Sequence, residues 1–371
     1  TAIALKGKIV AGGRPETYPF RLPLSLKGRL SFIRAGLKMR MAARKYQKVV
    51  EKRPGETPAE FRLRHLAFMG DQSFADFLGN VDHDVWSIFD AVIERMTCNN
   101  EQCSAGCGVS IFGHVWSKDS LLVRNIVGGS GKVTQAIARQ LGERVVTGAA
   151  ATSVRGTGSG FEVGFTVAGT AQSATAKQVI VATPAYVTKQ IVADLPADTR
   201  AALEEMHYGP YLVAGILTGE TGPMPWDKYY AVATPGKIFN FIFNHANVVH
   251  GYAKERKPGG SLMVYGAGEY AKRHWDLSDD EIRRRMEADL YDVFPEAKGV
   301  VREIWLRRIE HGYPYVRPGR HKIQPALEKD LGNLYLAGDY MDWASMEPAA
   351  ISGMDAARKA KAKLDAEGKG A

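Results

Sequence analysis

Hydrophobic and polar positions alternate with two different periods along this chain, which predicts helices and strands in separate regions. Apolar residues recur every three or four positions at Leu26, Leu30, Ile33, Leu37 and Met41, as on one face of a helix. Further helical patterns cover residues 74–78, opened by Asp71-Gln72-Ser73, and residues 86–92. The first 120 residues are therefore predicted to be mostly helical.

The pattern changes at about residue 124. A glycine-rich turn at residues 125–131 leads into a predicted helix at 133–141. Short strands are predicted at 144–147, 149–155, 161–167 and 178–182, and residues 156–160 form a hairpin loop between the second and third. This order of elements is typical of a nucleotide-binding α/β domain with a hairpin excursion.

A second region follows from about residue 190. Its pattern predicts an antiparallel sheet with strands at residues 212–217, 238–243, 261–265 and 303–308. Residues 279–294 are predicted to form a helix capped by Ser278. The chain then returns to the α/β domain at about residue 330, with a short apolar strand at 332–336 and a helix at 348–364.

The positive charge of the chain is concentrated in one segment. The 371 residues carry a net charge of +9, and ten Lys or Arg with one acid, Glu51, lie between Lys27 and Arg53. That segment alone accounts for the whole net charge. Two interpretations stay open: a helix on an anionic membrane surface, or a solvated basic face over a core-facing stripe. Nucleic acid is disfavoured because no binding motif accompanies the charge.

The remaining composition narrows the class of protein. No run of about 18 apolar residues occurs, so no membrane-spanning helix is predicted. The three cysteines, Cys98, Cys103 and Cys107, are too few for a disulfide framework or a four-ligand metal site. They are predicted to be buried thiols, with no metal site. A cytoplasmic protein is expected, with peripheral membrane contact through residues 26–53 as the open alternative.

The segment from Gly332 to Gly353 is typical of a cofactor site. An apolar strand ends in Ala337-Gly338-Asp339, where small residues allow a ligand to approach the backbone. Ligands of open α/β sheets bind just beyond such strand ends. A helix is predicted to start at Pro348, with unpaired N–H groups and the positive end of its dipole at that terminus.

This segment resembles the carboxy-terminal flavin-binding motif of the flavin amine oxidase, phytoene desaturase and protoporphyrinogen oxidase superfamily. The residues that carry the resemblance are Asn333-Leu334, Ala337-Gly338-Asp339 and Met346-Glu347-Pro348-Ala349. Gly128-Gly129, the strand through Val154, and Val179 to Pro184 resemble three further family segments. The resemblance implies that FAD is bound by Gly128, Gly129, Val154, Thr183, Pro184, Gly338, Asp339, Met346, Glu347 and Ala349.

The resemblance also implies an α/β fold with two domains. A Rossmann-like FAD-binding domain, incomplete at its amino terminus, would comprise residues 124–190 and 326–371. An α+β substrate domain would comprise the mostly helical residues 1–123 and the antiparallel sheet of 191–325. The G-x-G-x-x-G fingerprint of such folds does not occur before residue 120, so an amino-terminal portion is expected to be missing from the chain.

One departure from the family bears on the chemistry. The amine oxidases of this superfamily carry a lysine near flavin N5, and Val213 occupies about that position. Ser345 replaces the aromatic residue that often precedes the Met-Glu pair. Amine oxidation is therefore not the expected reaction. The resemblance favours a dehydrogenase, desaturase or oxidase that passes a hydride from an apolar substrate to flavin N5.

Residues for substrate and catalysis are less defined. Tyr313, Tyr315 and Trp343 are candidate walls of a substrate pocket, with core packing as the alternative. His207 is a weak candidate for a proton carrier, and no catalytic residue is assigned. The competing functional hypotheses are a non-catalytic, membrane-associated or assembly protein and a flavin-dependent isomerase.

Overall fold

The structure, a computed structural model, describes residues 2–115, 126–250, 255–343 and 345–367. In chain order the helices are α1 (Tyr18–Arg21), α2 (Leu26–Val50), α3 (Pro58–Ala67), α4 (Phe74–Leu78), α5 (His83–Ile93), α6 (Ala105–Val115), α7 (Gly131–Leu141), α8 (Ala185–Ile191), α9 (Ala197–Glu204), α10 (His245–His250), α11 (Glu269–Lys272), α12 (Asp279–Val293), α13 (Gln324–Leu327) and α14 (Met346–Glu367). The strands are β1 (Ala2–Leu5), β2 (Lys8–Ala11), β3 (Ala149–Thr157), β4 (Gly160–Val167), β5 (Thr170–Ala176), β6 (Val179–Val181), β7 (Tyr208–Thr218), β8 (Ala231–Ala233), β9 (Phe241–Asn244), β10 (Gly260–Ala267), β11 (Val301–Pro314) and β12 (Leu334–Leu336).

The chain divides into two compact units. Unit 1 comprises Thr1–Lys48, Asp71–Lys132 and Tyr208–Tyr313. Unit 2 comprises Val49–Gly70, Val133–His207 and Pro314–Ala371. The assignment of residue ranges to a substrate domain and an FAD domain stays a prediction.

Unit 1 contains a seven-stranded sheet with the order β11-β7-β10-β9-β8-β1-β2. Strand β10 pairs antiparallel with both β7 and β9, which confirms the antiparallel sheet predicted for this region. The hairpin of β1 and β2 joins the sheet through a parallel pairing with β8. Strands β1 and β2 form within residues 1–21, whose sequence predicts a short extended segment with turns. Strand β8 is additional to the prediction, because its three residues give little period-two signal.

One face of this sheet forms the main core of unit 1. Side chains of β7 and β10 point to the same side and pack against the apolar face of α12, whose amino terminus is capped by Ser278 as predicted. Because side chains alternate along a strand, the intervening residues of β7, β9 and β10 point to the opposite face. The buried set on the core side includes Leu212, Ala214, Ile216, Leu262, Val264, Ile282, Met286 and Leu290.

Helix α2 exists as predicted, but the apolar stripe named above does not face the core. Leu26, Leu30, Leu37 and Met41 are exposed, and Ile33 is half-buried. The face that packs inward combines small residues with Phe32, Met39 and Tyr46, and the ring of Phe32 contacts Phe89 with a centroid distance of 5.8 Å. The core-facing interpretation of the leucine stripe is therefore wrong. Small residues such as Ala35 and Ala42 allow close packing, whereas four large side chains are left outside.

Unit 2 contains two small sheets. Strands β3, β4 and β5 form an antiparallel meander, which confirms the hairpin, and β12 pairs parallel with β6. The strand predicted at 144–147 does not form: residues 142–144 are a 3-10 turn and 145–148 are non-regular. Although Val145 and Val146 favour strands, both are exposed and have no strand to pair with in the described residues.

The three cysteines confirm the prediction of buried thiols. Cys98, Cys103 and Cys107 are free and inaccessible to solvent, and burial raises the pKa of the Cys98 thiol. Among the described residues, no group of three or more His, Cys, Asp or Glu side chains is arranged to hold a metal ion. No helix in the same ranges is both long and apolar enough to cross a bilayer.

Candidate functional site: the exits of two parallel strands

The predicted cofactor residues of unit 2 meet where β6 and β12 end. The two strands pair in register, with Leu336 opposite Val181, and the N–H of Ala337 donates to the carbonyl of Val181 at 3.0 Å. Because the strands are parallel, Thr183-Pro184 and Gly338-Asp339 emerge from the same edge of the sheet. This edge is where ligands bind in open α/β sheets.

Ser352 fixes the backbone of Gly338 to helix α14. Its hydroxyl oxygen accepts from the N–H of Gly338 at 3.0 Å and lies 3.0 Å from the carbonyl of Gly338 and 2.9 Å from that of Ala349. Ser352 is 3% exposed, so these hydrogen bonds are shielded from solvent. Gly338 has no room for a side chain, since a Cβ atom would lie 2.6 Å from the ring of Tyr340. The glycine and the serine together define the path of the strand exit.

Asp339 provides a half-buried acceptor at this exit. Desolvation raises the pKa of its carboxyl group, and the counteracting hydrogen bonds come from backbone N–H groups of Tyr340 and Asp339 itself. Among the described residues no Lys or Arg is paired with it. A carboxylate in this setting can accept hydrogen bonds from the hydroxyl groups of a bound ligand. The unpaired acceptor therefore fits a ribityl or ribose group of the predicted cofactor.

Helix α14 begins beside the exit and presents its first turn to solvent. It starts at Met346, two residues before the predicted start, so Pro348 is its third residue and still lies where N–H groups have no helical partner. Met346 is 71% exposed and Glu347 is exposed, whereas Pro348 and Ala349 are half-buried. The positive end of the helix dipole is thus accessible to a ligand with negative charge.

A buried ion network in unit 2 connects helix α3 with α14 and with the residue after α13. Arg62 of α3 makes a two-pronged contact with Glu328, with Nε to Oε1 at 2.5 Å and an Nη atom to Oε2 at 2.9 Å. Its other Nη atom donates to Asp355 of α14 at 2.8 Å. All three side chains are under 10% exposed. Sequence reasoning missed this network because 266 and 293 residues separate the partners, and nothing local marks them.

An imidazole also packs behind the exit. His65 Nδ1 lies 3.0 Å from Asp342 Oδ1, and its ring stacks on Trp343 with a centroid distance of 4.0 Å. Trp343 is buried, so in unit 2 it packs in the interior. Tyr315 is half-buried and stacks on His207 at 5.8 Å. The roles of Trp343 and Tyr315 as pocket walls stay predictions.

The other predicted cofactor residues lie in different places. Gly128 and Gly129 have φ angles of 82° and 90°, a left-handed conformation that favours glycine, and both are exposed in the turn before α7. Val154 is buried, and its carbonyl accepts from the N–H of Ala193 at 3.1 Å. Gly128 and Gly129 belong to unit 1, whereas Val154 and the strand exits belong to unit 2. Their contacts with a cofactor stay predictions.

Unit 1 contributes an aromatic sheet face that sequence reasoning missed; its residues are buried, apart from the half-buried Tyr211. Side chains on the sheet face opposite the α12 core include Tyr211 and Tyr265, whose rings meet edge to face at 5.5 Å. Phe241 and Phe243 adjoin Tyr265, with centroid distances of 6.3 and 5.6 Å. We call these four residues the aromatic face. The alternation of aromatic residues at 241 and 243 was the available signal.

Two further side chains belong to this surface. Val213 is half-buried and pairs directly with Tyr265 across β7 and β10. The guanidinium of Arg95 lies over the rings of Phe241 and Phe243, at 5.2 and 5.8 Å from their centroids. Desolvation raises the pKa of both Tyr211 and Tyr265, so both phenols are neutral at pH 7. Tyr313, half-buried at the end of β11, accepts at its carbonyl from Thr97 and stays a predicted pocket residue.

A mixed α/β chain with a ligand edge at the ends of parallel strands is typical of nucleotide-binding proteins. Residues 11–360 match the model of one family, described as flavin-containing amine oxidoreductase. The chain belongs to this family. It is therefore a flavin-dependent oxidoreductase, which confirms the predicted superfamily and the FAD cofactor.

Comparisons with individual proteins agree at the level of fold. The structure is similar to putrescine oxidase bound to putrescine, with a TM-score of 0.72 and 16% identity, over 93% of this chain and 77% of the other. It is similar to cyclohexylamine oxidase from Brevibacterium oxydans IH-35A, with a TM-score of 0.66 and 14% identity, over 89% and 75% of the two chains. These similarities confirm the predicted fold class.

One curated relative is similar in sequence over a shorter stretch. Carotenoid phi-ring synthase of Chlorobaculum tepidum is 30% identical over 113 residues, which are 29% of this chain and 17% of that protein. The chain thus matches only a small part of the length of this relative. The similarity supports the prediction of a desaturase-like flavoprotein but does not define a substrate.

Proposed function

We propose that the chain is a flavin-dependent dehydrogenase or desaturase that takes a hydride from a C–H bond of an apolar substrate, and that it does not oxidise amines. The observation that carries this proposal is Val213, which places an apolar side chain on the aromatic face. A wall of phenyl and phenol rings, reached through the half-buried Tyr211 and Val213, would bind apolar and conjugated molecules through dispersion and exclusion of water. The name of the phi-ring synthase relative points to the same class of substrate, a carotenoid.

The residues at the strand exits of unit 2 would hold the flavin. Asp339 would accept hydrogen bonds from its sugar-like hydroxyl groups, and the first turn of α14 would face the part of the cofactor that gains negative charge on reduction. When bound, the flavin supplies the hydride acceptor at N5. The protein's part is to orient the substrate and to exclude water from the reacting bond.

Desaturation also needs a proton acceptor, because one C–H bond loses a hydride and its neighbour loses a proton. His245, the residue after β9, stacks against Phe243 with a centroid distance of 6.2 Å. Burial lowers the pKa of His245 from its ordinary value, so the imidazole is neutral at pH 7 and can accept a proton. We assign the proton to His245 in preference to His207, which packs against Tyr315 in unit 2.

The first experiment tests the cofactor and the substrate class together. The purified protein is scanned for flavin absorbance, and a carotenoid, putrescine or cyclohexylamine is then added without oxygen. We expect the flavin band to bleach with the carotenoid and to persist with both amines. Rapid bleaching by either amine would refute the proposed substrate class. Equal flavin retention by the wild type and an Asp339→Ala variant would refute the proposed site at the strand exits.

A pair of substitutions at Val213 sharpens this test. Val213→Leu keeps the surface apolar and should preserve reduction by the carotenoid. Val213→Lys places a charge on the aromatic face and should slow reduction by at least about 10-fold, since an apolar substrate that covers this position would strip the ammonium group of water without pairing it. Flavin content and melting temperature are measured for both variants, so that a folding defect is distinguished from a substrate effect.

A further inference from the structure

The exposed side of helix α2 carries an apolar stripe that no part of the described structure covers. Leu26 and Leu30 are 78% and 70% exposed, and Leu37 and Met41 are exposed to a similar degree. With about 100° of rotation per residue, these positions and Ile33 fall within an arc of about 80°. The buried residues of α2, centred on Phe32 and Met39, lie on the opposite side of the helix. The stripe is therefore a second apolar face.

Positive charge borders this stripe along its whole length. No acidic residue occurs between Leu26 and Val50. Lys27, Arg34 and Lys45 lie on one flank, and Arg29 and Arg40 lie on the other. Arg44 and Lys48 continue the exposed face toward the carboxyl end of the helix. Glu16 contacts Arg40 of α2 at 3.3 Å, and both side chains are exposed, so this pair offsets little of the charge.

An apolar groove opens beside the stripe. It has a volume of about 440 Å³, and Phe32, Met39 and Phe112 form its buried lining. Leu37 and Arg40 of α2 also line it, so the groove is continuous with the exposed face. Phe20, which follows the groove residue Pro19, is 64% exposed. The apolar surface thus extends from the helix stripe onto the neighbouring α1.

The chemistry of this surface selects its occupant. A second copy of the chain would bring the same row of cations against the first, which is repulsive. A nucleic acid would use the cations but gain nothing from four exposed aliphatic side chains. A bilayer with anionic headgroups satisfies both features, because the apolar stripe enters the boundary between headgroups and acyl chains while the flanking cations meet phosphates.

We propose that helix α2 docks the protein on an anionic membrane surface, with Leu26, Leu30, Leu37 and Met41 inserted and the groove opening toward the lipid. The helix lies in the plane of the interface. This inference goes beyond the proposed reaction and is tested without substrate or flavin reduction.

The test is partitioning onto vesicles of phosphatidylcholine with and without phosphatidylglycerol, measured by flotation of the whole protein. We expect at least about 10-fold stronger binding to the anionic vesicles, and a decline as salt is raised. Leu30→Ser/Leu37→Ser and Arg34→Glu/Lys45→Glu should each reduce binding by at least about 10-fold. Matched controls are Val133→Ser/Ile137→Ser on the exposed side of α7 and Lys228→Glu/Lys298→Glu at exposed sites of unit 1, which should change binding by less than about twofold.

A labelled variant reports insertion directly. Because all three native cysteines are buried, Leu30→Cys adds an accessible thiol that can carry an environment-sensitive fluorophore. Its emission should shift to the blue on anionic vesicles, whereas the same label at Lys298→Cys should not respond.

Three outcomes would overturn the proposal. The first is equal binding to neutral and anionic vesicles, or none to either. The second is loss of binding in the charge-reversal variant but not in the serine variant, which would indicate a polyanion site without insertion. The third is an equal effect of the α2 variants and their controls.

Discussion

The buried contact of Arg62 with Glu328 and Asp355 gives the sharpest prediction about stability. Arg62→Met removes the cation from two carboxylates under 10% exposed: Glu328 loses its ion pair, whereas Asp355 keeps a contact with the exposed Arg358 at 2.7 Å. Breaking a buried ion pair from one side costs about 3–5 kcal/mol, because the remaining charge is desolvated and uncompensated. Gln324 still donates to Glu328 at 2.9 Å, so we place the expected loss near the lower end, at about 3 kcal/mol.

Urea unfolding followed by circular dichroism measures this loss. With an m-value of about 3 kcal/mol per molar urea, a loss of about 3 kcal/mol lowers the transition midpoint by about 1 M. Two controls separate charge from size. Arg62→Lys keeps one charge but loses the two-pronged geometry, and it should fall between the wild type and Arg62→Met. The triple variant Arg62→Met/Glu328→Gln/Asp355→Asn removes all three charges and should recover part of the loss.

A midpoint shift below about 0.3 M for Arg62→Met would correspond to less than about 1 kcal/mol and would refute the assignment of a buried, energetically coupled network. A triple variant less stable than Arg62→Met would contradict the claim that unpaired charge, and not lost packing, is the main cost.

Three further predictions follow from single side chains. Ser352→Ala leaves the N–H of Gly338 without its acceptor and should weaken flavin retention by about 5- to 100-fold, measured by flavin release on dilution, with Ser352→Thr as the matched control. In the wild type, the rate of flavin reduction should rise with pH through a His245 pKa below 6.5, because burial lowers this pKa and only the neutral imidazole accepts a proton. His245→Gln should abolish this rise. A flat wild-type profile between pH 4 and 7 would contradict the role of His245. Gly108→Ala places a Cβ atom 2.2 Å from the ring of Phe74 and should destabilise unit 1 by about 1–3 kcal/mol in thermal unfolding, whereas Gly36→Ala on α2 meets no atom within 4 Å and should be neutral or stabilising.

Local signals predicted the elements whose determinants lie within a few residues. Helix α12 was predicted at residues 279–294 and observed at Asp279–Val293, because Ser278 caps it and acids fill its first turn. The strand exit at Gly338-Asp339 was predicted from small residues and an acid after an apolar run. The start of α14 was misplaced by two residues, since proline is tolerated anywhere in the first turn.

Features that depend on distant partners were not predictable. The Arg62 network joins three segments that are remote in sequence, and the aromatic face requires three strands to be brought together in register. Residues 144–147 illustrate the opposite failure: β-branched residues gave a strand pattern, but a strand forms only where a partner strand supplies hydrogen bonds.

Helix α2 shows most clearly where periodicity stops being informative. A repeat of apolar residues fixes their angular position relative to one another, but it does not fix which side of the helix meets the core. The packing partners decide which side of the helix is buried. Phe89 and its neighbours pack against the side of α2 that carries alanines, because small residues allow the helix axis to come closer and bury more surface. The leucines therefore lie on the opposite side, where they expose contiguous apolar area to water. Such exposure is unfavourable for a helix that is simply solvated. The cost disappears if the exposed face meets a bilayer, so the same residues that misled the core assignment are the strongest argument for the membrane-docking surface.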